Sequence, residues 1–392
     1  MARLTLFSRH IPRCWAQRAT AAPTRTIAGA PRRFATATTS PPDGSAPEPR
    51  RDNYIKIVEV GARDGLQNEK KAIPLPVKLD LIERLAKTGL SSIEAGAFVS
   101  PKWVPQMSNS SEILSHLLEH PPSSPRPLTF SFLAPNIKGM EAASAILAQH
   151  PSSYESETQR LAFPPSERRK SKPALEMAVF ASATESFSQR NLNCSVADSL
   201  DRFRAVIAAA KDADLRVRAY ISVVLGCPFE GPDVNPHRVA EIATSLLEMG
   251  ADEIALGDTT GMGTAPRTKE LLTCLRSAGI RNEDVAMHFH DTYGQALVNT
   301  AVALEHGIRT FDSSVGGLGG CPYSPGASGN VATEDMVYFL ESLGMDTGVD
   351  LDAVADIGAW ISAEVGKPHE SSVGRAVLAA RLRAEQEKKE AL

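Results

Sequence analysis

His288 and His290 are separated by one residue in the run Val285–His290, which is short, apolar and β-branched. On an extended strand the side-chain period is two, so both imidazoles project from one face. Such a pair is either hydrogen-bonded within a core or aimed at a metal. Asp64 lies just after the first strand-like run of the chain, and Asn330 follows the eighth. If those runs close into a ring, the four side chains converge, and the metal reading is favoured. Two imidazoles, a carboxylate and an amide oxygen form a ligand set that leaves room for further oxygens. Carboxylate, amide and water oxygens favour magnesium or manganese, although imidazole also suits zinc or iron(II). No thiolate is needed. The expected cofactor is therefore magnesium or manganese, with positions open to substrate oxygens.

Arg63 immediately precedes Asp64. A guanidinium keeps its charge and offers fixed donors to an oxygen that becomes negative. The competing reading is an ion pair closing one end of the fold, with Glu94 of the Ile-Glu-Ala-Gly run as partner. Both can hold, with Glu94 positioning Arg63 while Arg63 meets substrate. Cys321 follows Gly316, Gly317, Gly319 and Gly320 and precedes Pro322. Glycines let a backbone approach a ligand closely and let a loop move. A thiol of tuned pKa can give or take a proton there. Cys194, Cys227 and Cys274 read instead as small buried residues, the ordinary role of a free cysteine.

The elements that must position these groups alternate along the chain. Strand-like runs are Ile55–Gly61, Ser92–Phe98, Leu128–Leu133, Met177–Ala181, Arg216–Leu225, Glu253–Gly257, Val285–His290 and Thr310–Val315. Amphipathic stretches lie between them, at Val77–Thr88, Ile137–Gln149, Val196–Lys211, Arg238–Met249, Lys269–Ser277 and Gln295–His306, with Thr333–Leu343 after the last. Such alternation implies parallel strands with right-handed crossovers. Eight units predict an α/β fold, a closed (β/α)8 TIM barrel, with a doubly wound open sheet as the competitor. The first turn, Gly-Ala-Arg-Asp-Gly-Leu-Gln-Asn, lacks the G-x-G-x-x-G spacing of a dinucleotide site. In a barrel, catalytic groups gather at the C-terminal ends of the strands, and the unusual polar residues here do so repeatedly.

The predicted organisation is a presequence over 1–42, a linker over 43–53, a barrel over 54–345 with an insertion at 151–173, and a helical extension over 346–392. Residues 1–42 contain seven Arg, no Lys and no acid, the composition of a mitochondrial targeting segment. Setting those arginines aside leaves 35 basic against 46 acidic residues, a net charge of −11. An acidic body argues against nucleic acid as partner. No apolar run reaches the roughly 18 residues of a membrane span, so no membrane partner is expected. Widely spaced cysteines without CxxC pairing suit a reducing compartment. The insertion, rich in Pro, Ser and charge, follows a helix and precedes a strand, which in a barrel is the face opposite the site.

These residues together resemble the 3-hydroxy-3-methylglutaryl-CoA lyase family of the DRE-TIM metallolyase superfamily. The stretches that carry the resemblance are Val60-Gly-Ala-Arg-Asp-Gly-Leu-Gln-Asn-Glu-Lys70, Phe98-Val-Ser-Pro-Lys-Trp-Val-Pro-Gln-Met107 and Leu256-Gly-Asp-Thr259. Asn191-Leu-Asn-Cys-Ser195, Gly226-Cys-Pro-Phe-Glu-Gly231, His288-Phe-His-Asp-Thr-Tyr-Gly-Gln-Ala296, Gly317-Leu-Gly-Gly-Cys-Pro-Tyr323 and Gly326-Ala-Ser-Gly-Asn330 complete it. The resemblance implies Asp64, His288, His290 and Asn330 as metal ligands. It implies catalytic roles for Arg63, Cys321, His288, Glu94 and Asp258, and substrate contacts for Arg63, Gln67, Thr259 and Glu334. The implied reaction is metal-assisted retro-Claisen cleavage of 3-hydroxy-3-methylglutaryl-CoA to acetyl-CoA and acetoacetate, with His288 or Asp64 as the base. The implied partner is a small-molecule acyl-CoA, a homodimer is the assembly allowed for, and the location is the mitochondrial matrix. The competing functions are a condensing synthase of the same superfamily and a catalytically silent binding scaffold.

Overall fold

A computed structural model describes residues 53–162, 172–320 and 329–390. Eight parallel strands close on themselves in sequence order, each hydrogen-bonded to the next and the last to the first. They are β1 (Lys56–Glu59), β2 (Ser92–Ala97), β3 (Thr129–Leu133), β4 (Ala174–Ser182), β5 (Arg216–Ser222), β6 (Glu253–Asp258), β7 (Val285–Phe289) and β8 (Thr310–Ser313). The ring of helices comprises α1 (Leu75–Ala86), α2 (Ser110–Glu119), α3 (Ile137–Leu147), α4 (Glu157–Leu161), α5 (Glu185–Leu192), α6 (Val196–Asp212), α7 (Pro236–Glu248), α8 (Ala265–Ser277), α9 (Ala296–Glu305) and α10 (Thr333–Ser342). After it come α11 (Leu351–Val365) and α12 (Ser372–Glu390). The expected (β/α)8 barrel is the observed fold, and the open sheet is excluded by closure.

The strands sort their residues by parity. Phe130, Phe132, Phe289 and Phe311 point outward and are fully buried beneath the helices. Burial of each such ring stabilises the fold by about 1.5–3 kcal/mol. The inward face is different. A TIM-barrel interior is ordinarily filled by branched aliphatic side chains. Here Glu94, Glu176, Arg218, Glu253 and Asp312 are buried instead. The helices α2 and α5 are not among the amphipathic stretches read from the sequence. The first is short and lies between Pro105 and Pro121, and the second, ESFSQRNL, buries only Phe187 and Ser188.

The described part of the 151–173 stretch carries α4, which Ser156 and Gln159 begin with reciprocal side-chain caps. Arg160 Nη1 donates to Thr129 Oγ1 at 2.7 Å, and Thr158 Oγ1 to Asp214 Oδ1 at 2.9 Å. Thr129 opens β3 and Asp214 precedes β5, so this segment lies at the N-terminal ends of the strands. In the 346–392 segment, α11 buries Val354, Ile357 and Ile361 against the barrel, whereas α12 buries only Gly374. Among the described residues no helix is long and apolar enough to cross a membrane.

Candidate active site

At the C-terminal end of β1 the chain turns through a wide π-helical turn, Gly61–Gly65, whose Asp64 and Gly65 amides donate to Val60 O at 2.8 and 3.1 Å. Wide turns of this kind recur at functional sites. Gly61 is required there because a Cβ would sit 2.6 Å from Glu59 Oε1. The turn delivers Arg63 and Asp64 inward. Two strands away around the ring β7 delivers His288, and His290 follows directly, paired through its backbone with Asn330. The two Nε2 atoms are 3.2 Å apart, and His288 Nε2 is 3.9 Å from Asp64 Oδ2. One ligand atom from each of Asp64, His288 and His290 falls within 4.8 Å of the others, the one such trio among the described residues.

Asn330 completes the cluster. Its Nδ2 donates to Asp64 Oδ2 at 2.9 Å and to Leu318 O at 3.2 Å, while its Oδ1 is buried without a hydrogen-bond partner. A buried acceptor left open beside a carboxylate and two imidazoles fits a cation, because an orphaned buried oxygen otherwise carries its full desolvation cost. Gly319 keeps the approach clear, since a Cβ there would lie 2.7 Å from Asn330 Nδ2. The electrostatics agree. Burial pushes the Asp64 carboxyl up, but the Arg63 guanidinium and both histidines outweigh it and hold it at about 2. Burial together with the neighbouring His288 lowers His290 to about 4, so near pH 7 it offers a neutral ring. Asp64 and His290 are thus deprotonated at physiological pH, as metal ligation requires, whereas at His288 burial pulls the ring down but Asp312 and Asp64 outweigh it and raise it.

Arg63 faces the same cavity. Its Nη1 donates to Asp64 Oδ1 at 2.7 Å and its Nη2 lies 2.6 Å from Glu94 Oε2. Glu94 is wholly buried and also accepts from the Tyr220 hydroxyl at 3.2 Å. It lies behind Arg63, outside the cavity lining, and holds the guanidinium in place. The cavity measures about 570 Å³ and is lined by Arg63, Asp64, Gln67, Thr259, His288 and His290, with Tyr220 and Phe180 on its wall. Gln67 Nε2 donates to Asp64 Oδ1 at 3.2 Å. Thr259 Oγ1 accepts from the Val223 amide at 2.9 Å.

Asp258 and Glu334 are not among the residues lining that cavity, and both accept hydrogen bonds from turn amides. Both oxygens of Asp258 accept from the Gly263 amide, at 3.2 and 3.0 Å, closing the turn after β6. Burial raises this carboxyl to about 7. Glu334 is wholly buried beneath the turn after β8, where its two oxygens accept from the Gly316 amide at 3.0 Å and one from His369 Nε2 at 2.9 Å. It braces that turn and lines no part of the cavity. Cys321 lies outside the described residues. Sequence reasoning missed Tyr220, Asp312 and Arg218. His288 Nδ1 is 3.0 Å from Asp312 Oδ2, and Arg218 Nη2 donates to Asp312 Oδ1 at 2.5 Å. The signal was present in Arg216-Val-Arg-Ala-Tyr-Ile-Ser222, where every second residue of a buried strand is polar.

Residues 54–361 match the model of the HMGL-like family. A 3-hydroxy-3-isohexenylglutaryl-CoA/hydroxy-methylglutaryl-CoA lyase of Pseudomonas aeruginosa is 48% identical over 325 residues, covering 83% of this chain and 97% of the relative. A mitochondrial hydroxymethylglutaryl-CoA lyase of Macaca fascicularis is 45% identical over 322 residues, covering 82% of this chain and 89% of the relative. Among solved structures, an HMG-CoA lyase of Acinetobacter baumannii in complex with coenzyme A and 3-methylmalate superimposes with a TM-score of 0.70 at 31% identity, covering 83% of this chain and 96% of that one.

Proposed function

Because the chain belongs to the HMGL-like family, we infer that it is a lyase cleaving 3-hydroxy-3-methylglutaryl-CoA to acetyl-CoA and acetoacetate. The observation that carries this reading is the meeting of the Asp64, His288 and His290 cluster with the buried Arg63 guanidinium in one cavity of about 570 Å³. Asp64, His288, His290 and Asn330 would hold the cation, and the oxygen-rich half of that set favours magnesium or manganese. When bound, the cation supplies Lewis acidity and a template for substrate oxygens.

The chain's own residues account for the rest. The tertiary alcohol gives its proton to a base, for which His288 and Asp64 are the candidates, its oxygen becomes the ketone of acetoacetate, and the carbon–carbon electron pair moves into the acetyl-CoA enolate. Arg63 presents fixed donors to the thioester oxygen on which that charge gathers. Burial would weaken its charge, but Glu94 and Asp64 more than offset this and keep it protonated. Cys321 is proposed to return a proton to the enolate carbon. The walls around Phe180 and Tyr220 limit water at the reacting carbon.

The bound coenzyme A of the Acinetobacter enzyme supports an acyl-CoA as the small-molecule partner. The mitochondrial relative and the acid-free, Arg-rich residues 1–42 support a mitochondrial location, and we place the enzyme in the matrix. A coupled assay with 3-hydroxy-3-methylglutaryl-CoA, with and without added metal, tests the whole reading. Release of acetoacetate dependent on metal is expected, and its absence from folded, metal-loaded protein would overturn it.

A further inference from the structure

We propose that Asp312, backed by Arg218, is a positioning pair that fixes the tautomer of His288 and so makes it a metal ligand. The proposal rests on the reading of Asp64, His288, His290 and Asn330 as a cation site. The pair belongs to a chain of charges running down the inside of the barrel. Asp312 uses its oxygens separately, Oδ2 at 3.0 Å from His288 Nδ1 and Oδ1 at 2.5 Å from Arg218 Nη2. Arg218 Nη1 lies 2.9 Å from Glu253 Oε1, and Glu253 Oε2 meets Lys56 at 3.2 Å and Arg216 at 3.4 Å. The side chains of Arg218 and Asp312 are both 0% exposed.

Stability alone does not account for this arrangement. A buried ion pair is often no more stabilising than apolar side chains of the same volume, and branched aliphatics are the usual filling at this depth in a barrel. Its consequence for His288 is specific. An ionised carboxylate accepts hydrogen bonds and cannot donate them, so Nδ1 must carry the hydrogen. The lone pair of the neutral ring is then on Nε2, the atom 3.2 Å from His290 Nε2 and 3.9 Å from Asp64 Oδ2. The opposite tautomer would aim an N–H into the cation site. Arg218 fixes the plane of the Asp312 carboxylate and hence the ring that leans on it. With Nδ1 committed to Asp312 and Nε2 to the cation, His288 has no nitrogen left to act as the base.

The experiment uses the full chain stripped of metal. Manganese affinity is titrated by the electron paramagnetic resonance of free Mn²⁺, and thermal unfolding of the metal-free protein is followed alongside. Two variants are compared with the parent. Asp312→Asn keeps the shape and an acceptor for Arg218, and Arg218→Met with Asp312→Leu removes the pair while Glu253, which loses its 2.9 Å contact with Arg218, keeps Lys56 and Arg216 as counter-charges. Both are expected to bind Mn²⁺ 10–100-fold more weakly, while the double variant unfolds near the parent temperature. A merely structural pair would move the unfolding temperature and leave the affinity alone. Parent-like affinity in either folded variant overturns the proposal, and if the double variant does not fold, Asp312→Asn decides. A parent chain that binds no manganese overturns the cation-site reading along with this one.

Discussion

Arg63 pairs with Glu94 and Asp64 and is proposed to meet the thioester oxygen, two roles that a single substitution confounds. Arg63→Gln removes a charged donor from the thioester oxygen, which costs about 10²–10³ in turnover when an oxyanion loses one donor. The same change strands Glu94, which is 0% exposed and has Arg63 Nη2 at 2.6 Å, leaving it only the Tyr220 hydroxyl at 3.2 Å. Breaking a buried pair on one side destabilises by about 3–5 kcal/mol. The two effects separate in the double variant Arg63→Gln/Glu94→Gln, which leaves no stranded charge. Its unfolding temperature should return most of the way to the parent value, while its turnover should remain about 10²–10³ lower. Both quantities are measured at saturating magnesium, because Asp64 also loses its 2.7 Å contact with Arg63. Recovery of turnover together with stability would refute the reasoning. Arg63 would then be a counter-charge for Glu94 and Asp64, with no part in stabilising the enolate.

A chelator should abolish turnover and magnesium or manganese should restore it, and full activity in rigorously metal-free protein contradicts the ligand set. Cys321→Ala should cut turnover sharply with manganese affinity unchanged, and Cys321→Ser should rescue poorly because a hydroxyl is a far weaker acid; retained turnover in the Ala variant ends the proton-donor assignment. Burial raises the Glu59 carboxyl from 4.5 to about 7, against hydrogen bonds from Thr333, Val315 and Gly61. The stability this proton carries is full below pH 4.5 and is lost as pH rises through about 7, with a ceiling of about 3 kcal/mol. Glu59→Gln stays neutral, so its unfolding temperature should decline less than the parent's between pH 5 and 8, and parallel declines would exonerate Glu59. A fluorescent protein fused to residues 1–42 should enter mitochondria, and a cytosolic signal would defeat the targeting assignment.

The barrel was legible because its outward parity is apolar. Eight runs such as Ser92–Ala97 and Glu253–Asp258 alternate with helices, and alternation alone implies parallel strands and crossovers. The cluster was legible for a related reason. His288 and His290 share a face by the period of two, and closure makes β8 the neighbour of both β1 and β7, which brings Asp64 and Asn330 within reach. The packing of Leu351–Val365 against the turn at Val315–Gly317 had no such signature, since it depends on a long-range fit.

The acidic residues show where the reading of the sequence stopped short. Glu94, Asp258 and Glu334 all fall near the C-terminal ends of strands, and proximity in sequence made them equal candidates. Parity separates them. In the register of β6 and β7, Gly257 lies beside His288 and Asp258 beside Phe289. His288 points into the barrel and Phe289 under the helices, so Asp258 must point outward and Thr259 inward. The same alternation that selected the two histidines, applied one strand earlier, places Asp258 on the outward parity and Thr259 on the inward one. On β5 it would have found Arg218 and Tyr220, and on β8 Asp312, which lies directly beside His288. Glu334 escapes this test because it lies in the first turn of a helix, where a carboxylate is favoured near free backbone amides whatever the site requires. Strand parity therefore separates inward acids such as Glu94 and Asp312 from the outward Asp258, and a helical acid needs its hydrogen-bond partners identified before it can be placed.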